Sequence, residues 1–360
     1  MKMEQSRTMR GFESRRLWHL LSLLLAVFFS FGADAVESAN STNAMESLRG
    51  LTMGAGWSVK YIVPAKAPVK TEVHRALQSL LDRLEGQMST WRDDTDLARF
   101  NAARRTDWFP VPRETVLVVI EAQRISKLTG GAFDVTVESL VRLWGFGPRG
   151  RLGVVPSAAA IEEAQAKIGW RHLDARLDLP VLKKAIPALS VDLSALAPGF
   201  AADEIGRWLE LRGVTNYLAE VGGELRARGH DSRGRPWRVG IERPVDDNRE
   251  IARVVALDNL SLATSGDYRN FFIKDGRRYA HIVDPRTGRP TEHVAAVSIA
   301  HPSAMTADAL ATALMVLGPE QGMKLAREQG WPVQFVVREG NVLRTTATPQ
   351  FERLVVESAK

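Results

Sequence analysis

Residues 306–314, Thr-Ala-Asp-Ala-Leu-Ala-Thr-Ala-Leu, are the segment that most constrains what this chain can form. Leu310 and Leu317, seven residues apart, belong to one apolar face, and this spacing predicts a helix. We expect Thr306 to cap its N-terminus and the Gly-Pro pair at 318–319 to end it. The polar residues of this helix would then face inward or into a cleft.

Asp308 and Thr312 lie four residues apart and therefore share one face of the predicted helix. A carboxylate and a hydroxyl are hard oxygen ligands that suit Mg²⁺, which takes few protein ligands and keeps water or substrate oxygens in its other positions. A structural explanation is equally simple. An Asp in the first turn offsets the helix dipole, and a Thr inside a helix can bond back to a carbonyl.

The composition limits the protein class. With 360 residues, the chain can form one large α+β enzyme or two smaller lobes. The formal net charge of +6 comes from Lys and Arg that are scattered along the chain, which gives little support to nucleic-acid binding. The chain has no cysteine, so disulfides, thiolate metal sites, a cysteine nucleophile and a lipoprotein cysteine are excluded.

The N-terminal 35 residues resemble an export signal. A basic start is followed by an apolar run over 17–31 and by Ala33-Asp34-Ala35, a small-x-small cleavage site. We therefore expect cleavage before Val36 and a periplasmic protein. An uncleaved anchor in the inner membrane is the alternative. Arg15-Arg16 also allows a twin-arginine signal, which exports folded proteins.

Beyond the signal, residues 36–50 are polar, and we expect a flexible linker. Strand patterns at 57–63 and 217–221 then alternate with helical patterns such as 113–128, which Gly130-Gly131 would end. These patterns predict an α+β protein with mixed sheets and helices packed outside.

A second polar group lies near residue 284. There a predicted strand brings His281 and Asp284 to a Pro-Gly turn, Asp-Pro-Arg-Thr-Gly. A histidine and an aspartate on either side of such a turn are candidates for chemistry, although a structural role is equally open.

Several short motifs follow one another along the chain. They are Met88-Ser89-Thr90-Trp91, Arg99-Phe100-Asn101, Gly131-Ala132-Phe133-Asp134, Leu143-Trp144-Gly145-Phe146-Gly147, the segment 192–203, Gly222-Gly223, Thr264-Ser265-Gly266-Asp267-Tyr268, the segment 281–290, and Ala307-Asp308-Ala309-Leu310-Ala311-Thr312. In combination and in this order they resemble the FAD:protein FMN transferases, the ApbE flavin transferase family. The resemblance extends from Met53 to about Leu317.

The resemblance implies an activity and a domain organisation. The region 51–357 would be one flavin transferase domain with two lobes around a flavin cleft. It would bind FAD and Mg²⁺ and join FMN through a phosphoester to a threonine of a partner flavoprotein, releasing AMP. The expected acceptor is a membrane electron-transfer subunit with a Ser/Thr-Gly-Ala-Thr-like motif.

The resemblance also assigns residues to the site. The expected metal ligands are Asp308, Thr312 and the backbone carbonyl of Ala195, and His281 would lie near the flavin. The chemistry also needs a base for the hydroxyl proton, and His281 or a nearby carboxylate could serve. Pro198 departs from the pattern, because many relatives carry Lys or Glu there, so that contact with the cofactor would be weakened. The positions expected to contact FAD are Met53, Trp91, Ala132, Phe133, Asp134, Asp192, Pro198 and Ile282.

Two other functions fit the same residues. With water as the nucleophile, the site would make an FAD pyrophosphatase that releases FMN and AMP. If the change at Pro198 has removed activity, the chain would be a non-catalytic flavin-binding assembly factor.

Overall fold

The computed structural model describes residues 44–358, except 65, 67, 148–149, 151–152, 246–249, 293 and 341. The expected signal peptide, 1–35, and the first part of the expected linker, 36–43, lie outside the described residues. The described residues all belong to one unit, Ser41–Lys360. The two lobes around a cleft therefore stay a prediction. Within the described part of the chain, no helix combines the length and apolar character needed to cross a membrane.

The strands are numbered in chain order. They are β1 Met45–Thr52, β2 Ala55–Ile62, β3 Phe109–Pro110, β4 Leu173–Arg176, β5 Val181–Lys184, β6 Tyr217–Val221, β7 Glu224–Arg228, β8 Trp237–Glu242, β9 Ile251–Leu257, β10 Ser261–Gly266, β11 Phe271–Lys274, β12 Arg277–Ala280, β13 Val283–Asp284, β14 Arg289–Pro290, β15 Val294–His301, β16 Val333–Glu339, β17 Val342–Ala347 and β18 Val355–Ser358.

The helices are numbered in the same way, and a short 3₁₀ turn, Trp170–His172, precedes β4. They are α1 Lys70–Met88, α2 Asp96–Ala102, α3 Arg113–Leu128, α4 Glu138–Leu143, α5 Ala158–Gln165, α6 Ala197–Glu210, α7 Ala304–Glu328 and α8 Pro349–Glu352.

The main sheet has eight strands in the order β1-β2-β6-β7-β10-β15-β16-β17. The α+β class is therefore confirmed. The expectation of mixed sheets is wrong, because the strand pairs of the described chain are antiparallel. Tight hairpins join β1 to β2, β6 to β7 and β16 to β17, and a short reversal of this kind can only pair strands antiparallel.

The first hairpin corrects the expected linker. Residues 45–50, assigned to a flexible segment, lie in β1. Strand β1 pairs with β2 along its whole length. The turn between these strands is formed by Met53 and Gly54, with φ of 51° and 72°. Two successive positive φ angles characterise the tight turn that matches the twist of a hairpin. The polar composition that suggested a linker belongs instead to an edge strand with one exposed face.

The two faces of the main sheet are covered differently. Helices α1, α6 and α7 pack on one face, α3 packs against α1 and α7, and all four contribute to the large apolar core. On the other face, the three-stranded sheet β18-β9-β8 contributes Trp237, Val255 and Leu257 to a second cluster that includes Leu262 of β10. Strand β15 lies between these cores, and all but its last residue is buried.

Helix α7 is the central helix of the helical layer, and it contacts β10, β15, α6 and α3. Its N-cap is Ser303, whose side chain accepts a hydrogen bond from the Thr306 amide. The assignment of Thr306 as the cap is therefore wrong by three residues. The predicted end is confirmed as a break: Gly318 has φ 77° and ψ 175°, and a further helical segment follows it. Apart from Met305 and Thr312, residues 304–316 are buried, so this segment is surrounded by protein on nearly all sides.

Lys184 of β5 links helix α2 to the segment that leads to Asp192. Its ammonium donates hydrogen bonds to the carbonyl oxygens of Phe100, Asn101 and Leu189, at 3.1, 3.2 and 2.9 Å. The side chain of Asn101 exchanges two hydrogen bonds of 2.8 Å with the backbone of Val191. Lys184 is 1% exposed, and this burial lowers its pKa to about 8.

This shift predicts a pH dependence of stability. Between pH 8 and about 10 the native Lys184 loses its proton while the unfolded chain keeps it, so the free energy of unfolding rises with pH. We expect the difference between the parent and Lys184→Met to grow in favour of the parent by up to about 1.4 kcal/mol per pH unit in this window. Urea unfolding at pH 8, 9 and 10 measures it, with Lys183→Met as control. A flat or falling difference would contradict the prediction.

Candidate metal and flavin site

Asp308 lies in the second turn of α7, and its carboxylate faces the N-terminus of α6. The backbone N–H of Gly199 donates a hydrogen bond of 3.2 Å to its Oδ2. The side chain is buried, and burial raises the pKa of Asp308 to about 7 despite that hydrogen bond. The amide and the helix dipole of α6 favour a negative charge at this point, and one N–H leaves most of the acceptor positions of the carboxylate open.

A close approach of α6 to α7 places these groups together. A Cβ atom on Gly199 would lie 2.4 Å from the carbonyl oxygen of Ala304, so only glycine fits at this crossing. Helix α6 begins at Ala197. Pro198 is therefore its second residue, where a missing N–H has no cost and the fixed φ suits the first turn. Ala195 directly precedes the N-cap Leu196.

Glu224 is a site residue that our sequence reading did not select. It begins β7, and its Oε2 would lie 3.3 Å from a Cβ placed on Gly222, whose other neighbours are Ala55 and Pro198. Burial, followed by the negative charge of Asp308, raises the pKa of Glu224 well above its ordinary range. Two carboxylates thus repel each other beside the first turn of α6. A glutamate that directly follows a Gly pair at the start of a strand is the signal that could have identified it.

The hydroxyl of Thr312 meets a second hydroxyl. Its Oγ1 lies 3.0 Å from Oγ of Ser265, near the end of β10. Thr312 therefore has a side-chain partner on the sheet, so the back-bonding to its own helix that the structural explanation needed is not required. Ser265 lies in the Thr264-Ser265-Gly266-Asp267-Tyr268 motif, and nothing in its spacing marks it as a neighbour of α7.

These oxygen donors fit a hard divalent cation. Asp308 and Glu224 provide negative charge whose repulsion a cation would relieve, and Thr312 provides a neutral oxygen. In the described part of the chain, no three His, Asp or Glu side chains gather into a metal site. A cation here would therefore depend on hydroxyl and backbone oxygens and on water, as Mg²⁺ commonly does.

A second group of predicted residues surrounds Asp192. The Asp192 amide donates a 2.7 Å hydrogen bond to the carbonyl of Val135, next to Asp134. Both Asp134 oxygens are used by the chain itself: Oδ1 accepts from the amide and hydroxyl of Thr136, and Oδ2 from the amide of Trp170. Burial raises the pKa of Asp134. Any contact of this carboxylate with FAD stays a prediction, and the observed role is to fix the loop.

His281 follows β12 and faces Asp192. Its Nδ1 lies 3.2 Å from the carbonyl oxygen of Asn270, which can only accept, so Nδ1 carries the proton and Nε2 has the free lone pair. Burial lowers the pKa of His281, and the charge of Asp192 opposes this shift. The lowered pKa favours the neutral ring, whose Nε2 can accept a proton. The backbone of Ile282, the next residue, is held by the Thr291 amide at 2.9 Å.

The remaining predicted flavin contacts differ in exposure. Ala132 and Phe133 are buried in the main core, and Met53 is half-buried at the hairpin turn, where its amide donates to Glu85 at 2.9 Å. Trp91 is 68% exposed between α1 and α2. An exposed indole of this size offers a stacking face.

The segment 192–199 connects the two groups. Asp192 lies at one end, beside His281, and Pro198 and Gly199 lie at the other, beside Glu224 and Asp308. One continuous stretch of backbone therefore joins the candidate metal ligands to the candidate base.

The sequence as a whole identifies the group of proteins to which this site belongs. The ApbE family matches residues 53–335, more than half of the chain. The chain belongs to the ApbE family. A curated relative from Vibrio cholerae serotype O1, named FAD:protein FMN transferase, is 43% identical over 307 residues, which cover 85% of this chain and 91% of that protein. A relative of the same name from Salmonella typhimurium is 39% identical over 337 residues, covering 92% and 96%.

Solved ApbE structures have the same fold. The flavin transferase ApbE from Vibrio cholerae superposes with a TM-score of 0.80 at 40% identity, covering 87% of this chain and 99% of that one. The apo form of the Pseudomonas stutzeri flavinyl transferase ApbE gives 0.80 at 42% identity, covering 88% and 98%. These similarities confirm the resemblance and the α+β class.

The repulsion at the site predicts a stabilising substitution. The raised pKa of Glu224 means that its carboxyl is harder to ionise in the native protein than in the unfolded chain, so we expect Glu224→Gln in EDTA at pH 8 to gain about 1 kcal/mol, which corresponds to roughly 2–4 °C in melting temperature. Differential scanning calorimetry measures this. The control is Glu163→Gln, the same change at an exposed ion pair with Lys167, which should leave the melting temperature unchanged or slightly lower. A loss of stability in Glu224→Gln would show that the charge is favourable in the absence of metal.

Proposed function

We propose that this protein is a transferase that moves FMN from FAD to a protein acceptor, forming a phosphoester with a threonine and releasing AMP. The observation that carries the proposal is the Asp308–Thr312 pair at the N-terminus of α6, within a chain of the ApbE family. The relatives named FAD:protein FMN transferase support the same activity.

The proposal includes Mg²⁺. Asp308, Thr312 and the backbone carbonyl of Ala195 would hold it, and Glu224 adds negative charge beside them. The chemistry that Mg²⁺ would supply there is neutralisation of the negative charge that develops during phosphoryl transfer. The N-terminus of α6 would favour the same negative charge, because its first N–H groups and dipole point towards this position.

The residues around His281 would take up the hydroxyl proton of the acceptor threonine. The acceptor threonine oxygen forms a bond to the FMN phosphorus, the bond from that phosphorus to the AMP oxygen breaks, and AMP leaves with the bonding electron pair. The threonine proton must go to a base, and the free Nε2 of neutral His281 is suited to accept it. Asp192 would then stabilise the protonated ring through its negative charge.

Contacts with the FAD molecule would be divided among the predicted positions. Trp91 offers an exposed ring for stacking, and Met53 presents its backbone and side chain at the hairpin turn. Pro198 has no polar group to offer, so its contribution would be to fix the backbone at the start of α6. We expect weaker FAD binding at that position than in relatives with a charged residue, with activity retained.

The location and the acceptor are further parts of the proposal. The basic and apolar N-terminal segment with Ala33-Asp34-Ala35 supports export to the periplasm, by a cleaved signal or with an inner-membrane anchor. A membrane electron-transfer subunit carrying a Ser/Thr-Gly-Ala-Thr-like motif would be the acceptor there. Co-expression with such a subunit, in-gel flavin fluorescence and mass spectrometry of the labelled peptide test both the acceptor and the threonine.

Hydrolysis is the competing outcome, and it is distinguished by leaving out the acceptor. Purified protein, FAD and Mg²⁺ without acceptor should release FMN slowly, whereas addition of acceptor should yield protein-bound FMN and AMP in equal amounts. Rapid release of FMN without acceptor would favour an FAD pyrophosphatase. FAD binding without release or transfer under either condition would favour a non-catalytic flavin-binding assembly factor.

The metal ligands predict a graded loss of transfer. Asp308→Ala removes the main anionic ligand, so we expect the transfer rate at saturating FAD to fall at least about a hundredfold. Thr312→Val keeps the shape and loses the hydroxyl, so we expect a fall of about tenfold, partly restored by excess Mg²⁺. FAD affinity, measured by flavin fluorescence, should stay within about twofold of the parent because the other contacts remain.

A purely structural role predicts different data. Both variants would then transfer FMN at the parental rate and differ only in melting temperature, so rate and thermal stability are measured on the same preparations. Unimpaired transfer by Asp308→Ala would overturn the metal assignment.

A further inference from the structure

Asp203 of α6 makes several polar contacts to the start of α7, the helix that carries Asp308, although no part of the proposed chemistry uses it. Its Oδ2 accepts from the Ser303 hydroxyl at 2.7 Å and from the Met305 amide at 3.1 Å. Its Oδ1 accepts from the Ala304 amide at 3.0 Å. Asp203 is 8% exposed. A carboxylate supplied by a neighbouring helix therefore takes up the first free N–H groups of α7, which a helix cannot satisfy by itself.

These hydrogen bonds fix α7 at the point that determines where Asp308 lies. Ala304 is its first residue, and Asp308 follows one turn later on the same face. Because α7 is rigid over this turn, a shift or rotation of its first residues moves the Asp308 carboxylate by a similar distance. Thr312 lies one further turn along the same face and would move as well.

Asp203 also lies one turn along α6 from Gly199, the residue whose N–H binds Asp308. The same face of α6 therefore contacts the backbone of Ala304 through Gly199 and caps it through Asp203. Together, these two contacts fix both the distance between the helices and the position of α7 along its axis.

Arg226 extends the arrangement to the sheet. Its Nη1 forms a 2.7 Å ion pair with Oδ1 of Asp203. Arg226 lies two residues after Glu224 on β7, so both side chains lie on one face of that strand. Asp203 belongs to α6 and contacts α7 and β7. It thus links three elements that carry parts of the candidate metal site.

We propose that Asp203 is a positioning residue that fixes the oxygen ligands on α7 against the N-terminus of α6, so that its loss weakens metal binding while FAD binding is kept. The inference rests on the metal site proposed above. Partners that orient metal ligands typically change metal affinity by about 10–100-fold when they are removed.

Asp203→Asn is the most informative substitution. The amide has nearly the shape of the carboxylate, but in either orientation its NH₂ group faces a backbone N–H of α7, so a donor meets a donor. Glu210→Gln is the matched control. Glu210 binds the same arginine, with its Oε1 3.1 Å from Nη2 of Arg226, and its other partners are Tyr217 and Arg228 rather than residues of α7.

The first measurement is direct binding of Mn²⁺, used as a probe for Mg²⁺, by electron paramagnetic resonance of the free ion at saturating FAD. We expect the dissociation constant to rise at least about tenfold in Asp203→Asn and to stay within about twofold in Glu210→Gln. FAD affinity and melting temperature are measured alongside. FAD affinity should be unchanged in both variants, and both should lose some thermal stability.

The transfer reaction provides a second readout. The Mg²⁺ concentration for half-maximal FMN transfer should rise in Asp203→Asn by the same factor as the Mn²⁺ constant, and saturating Mg²⁺ should restore most of the rate. Equal Mn²⁺ affinities in Asp203→Asn and Glu210→Gln would overturn the positioning role.

Two further variants keep the test decisive. If Asp203→Asn does not fold, Ser303→Ala removes only the 2.7 Å hydrogen bond to Oδ2 and the cap of Thr306, and a smaller shift of Mn²⁺ affinity in the same direction is expected. Unchanged affinity in Ser303→Ala would then count against the proposal. Asp308→Ala in the same titration separates the two claims. If it binds Mn²⁺ like the parent, the metal site itself is wrong, whereas loss of binding there with normal binding in Asp203→Asn rejects only the positioning role.

Discussion

The contact between the N-terminus of α6 and the buried carboxylate of Asp308 is the interaction on which the rest of the site depends. A buried carboxylate costs several kcal/mol unless hydrogen bonds or positive charge compensate it. Here one N–H from Gly199 and the dipole of α6 compensate only in part, since burial still raises the pKa of Asp308 to about 7. The crossing of α6 and α7 is close enough for this contact because residue 199 has no side chain.

The packing of α7 on the antiparallel sheet explains why α6 and α7 are held at fixed positions relative to each other. Helix α7 packs on the interior strands β10 and β15, and its first 13 residues are surrounded by protein on nearly all sides. Its small residues, mostly alanine, allow α6 and the sheet to approach at the same time. A helix held in this way cannot slide without opening the main core, so side chains on its polar face keep fixed positions. The candidate ligands Asp308 and Thr312 thus lie on a helix segment that is almost fully buried.

Local patterns in the sequence were enough for elements whose own residues determine them. Helix α3 has the bounds that its periodicity predicted, Arg113–Leu128, and β6 has the predicted bounds Tyr217–Val221. Strand β1 could not be predicted, because an edge strand with one exposed face is polar and its pairing partner lies beyond the turn. The cap of α7 was misplaced by three residues for a related reason: Ser303 and Thr306 are equally good caps by composition, and Asp203, about 100 residues earlier in the chain, fixes the helix start.

The candidate site also contains residues that local sequence patterns could bring together and residues that they could not. Asp308 and Thr312 could be paired from sequence because helical spacing alone places them on one face. Glu224 and Ser265 could not, since they reach α7 from separate strands whose order in the sheet is not encoded locally. The pair Asp308 and Glu224 also conflicts with the general tendency of cores to avoid like charges. A fold that places two carboxylates together at the start of a helix gives up stability in the absence of a cation, and this loss is what makes binding of a cation favourable there. The stability of the protein and the affinity of its site for a metal are therefore opposed through the same two side chains.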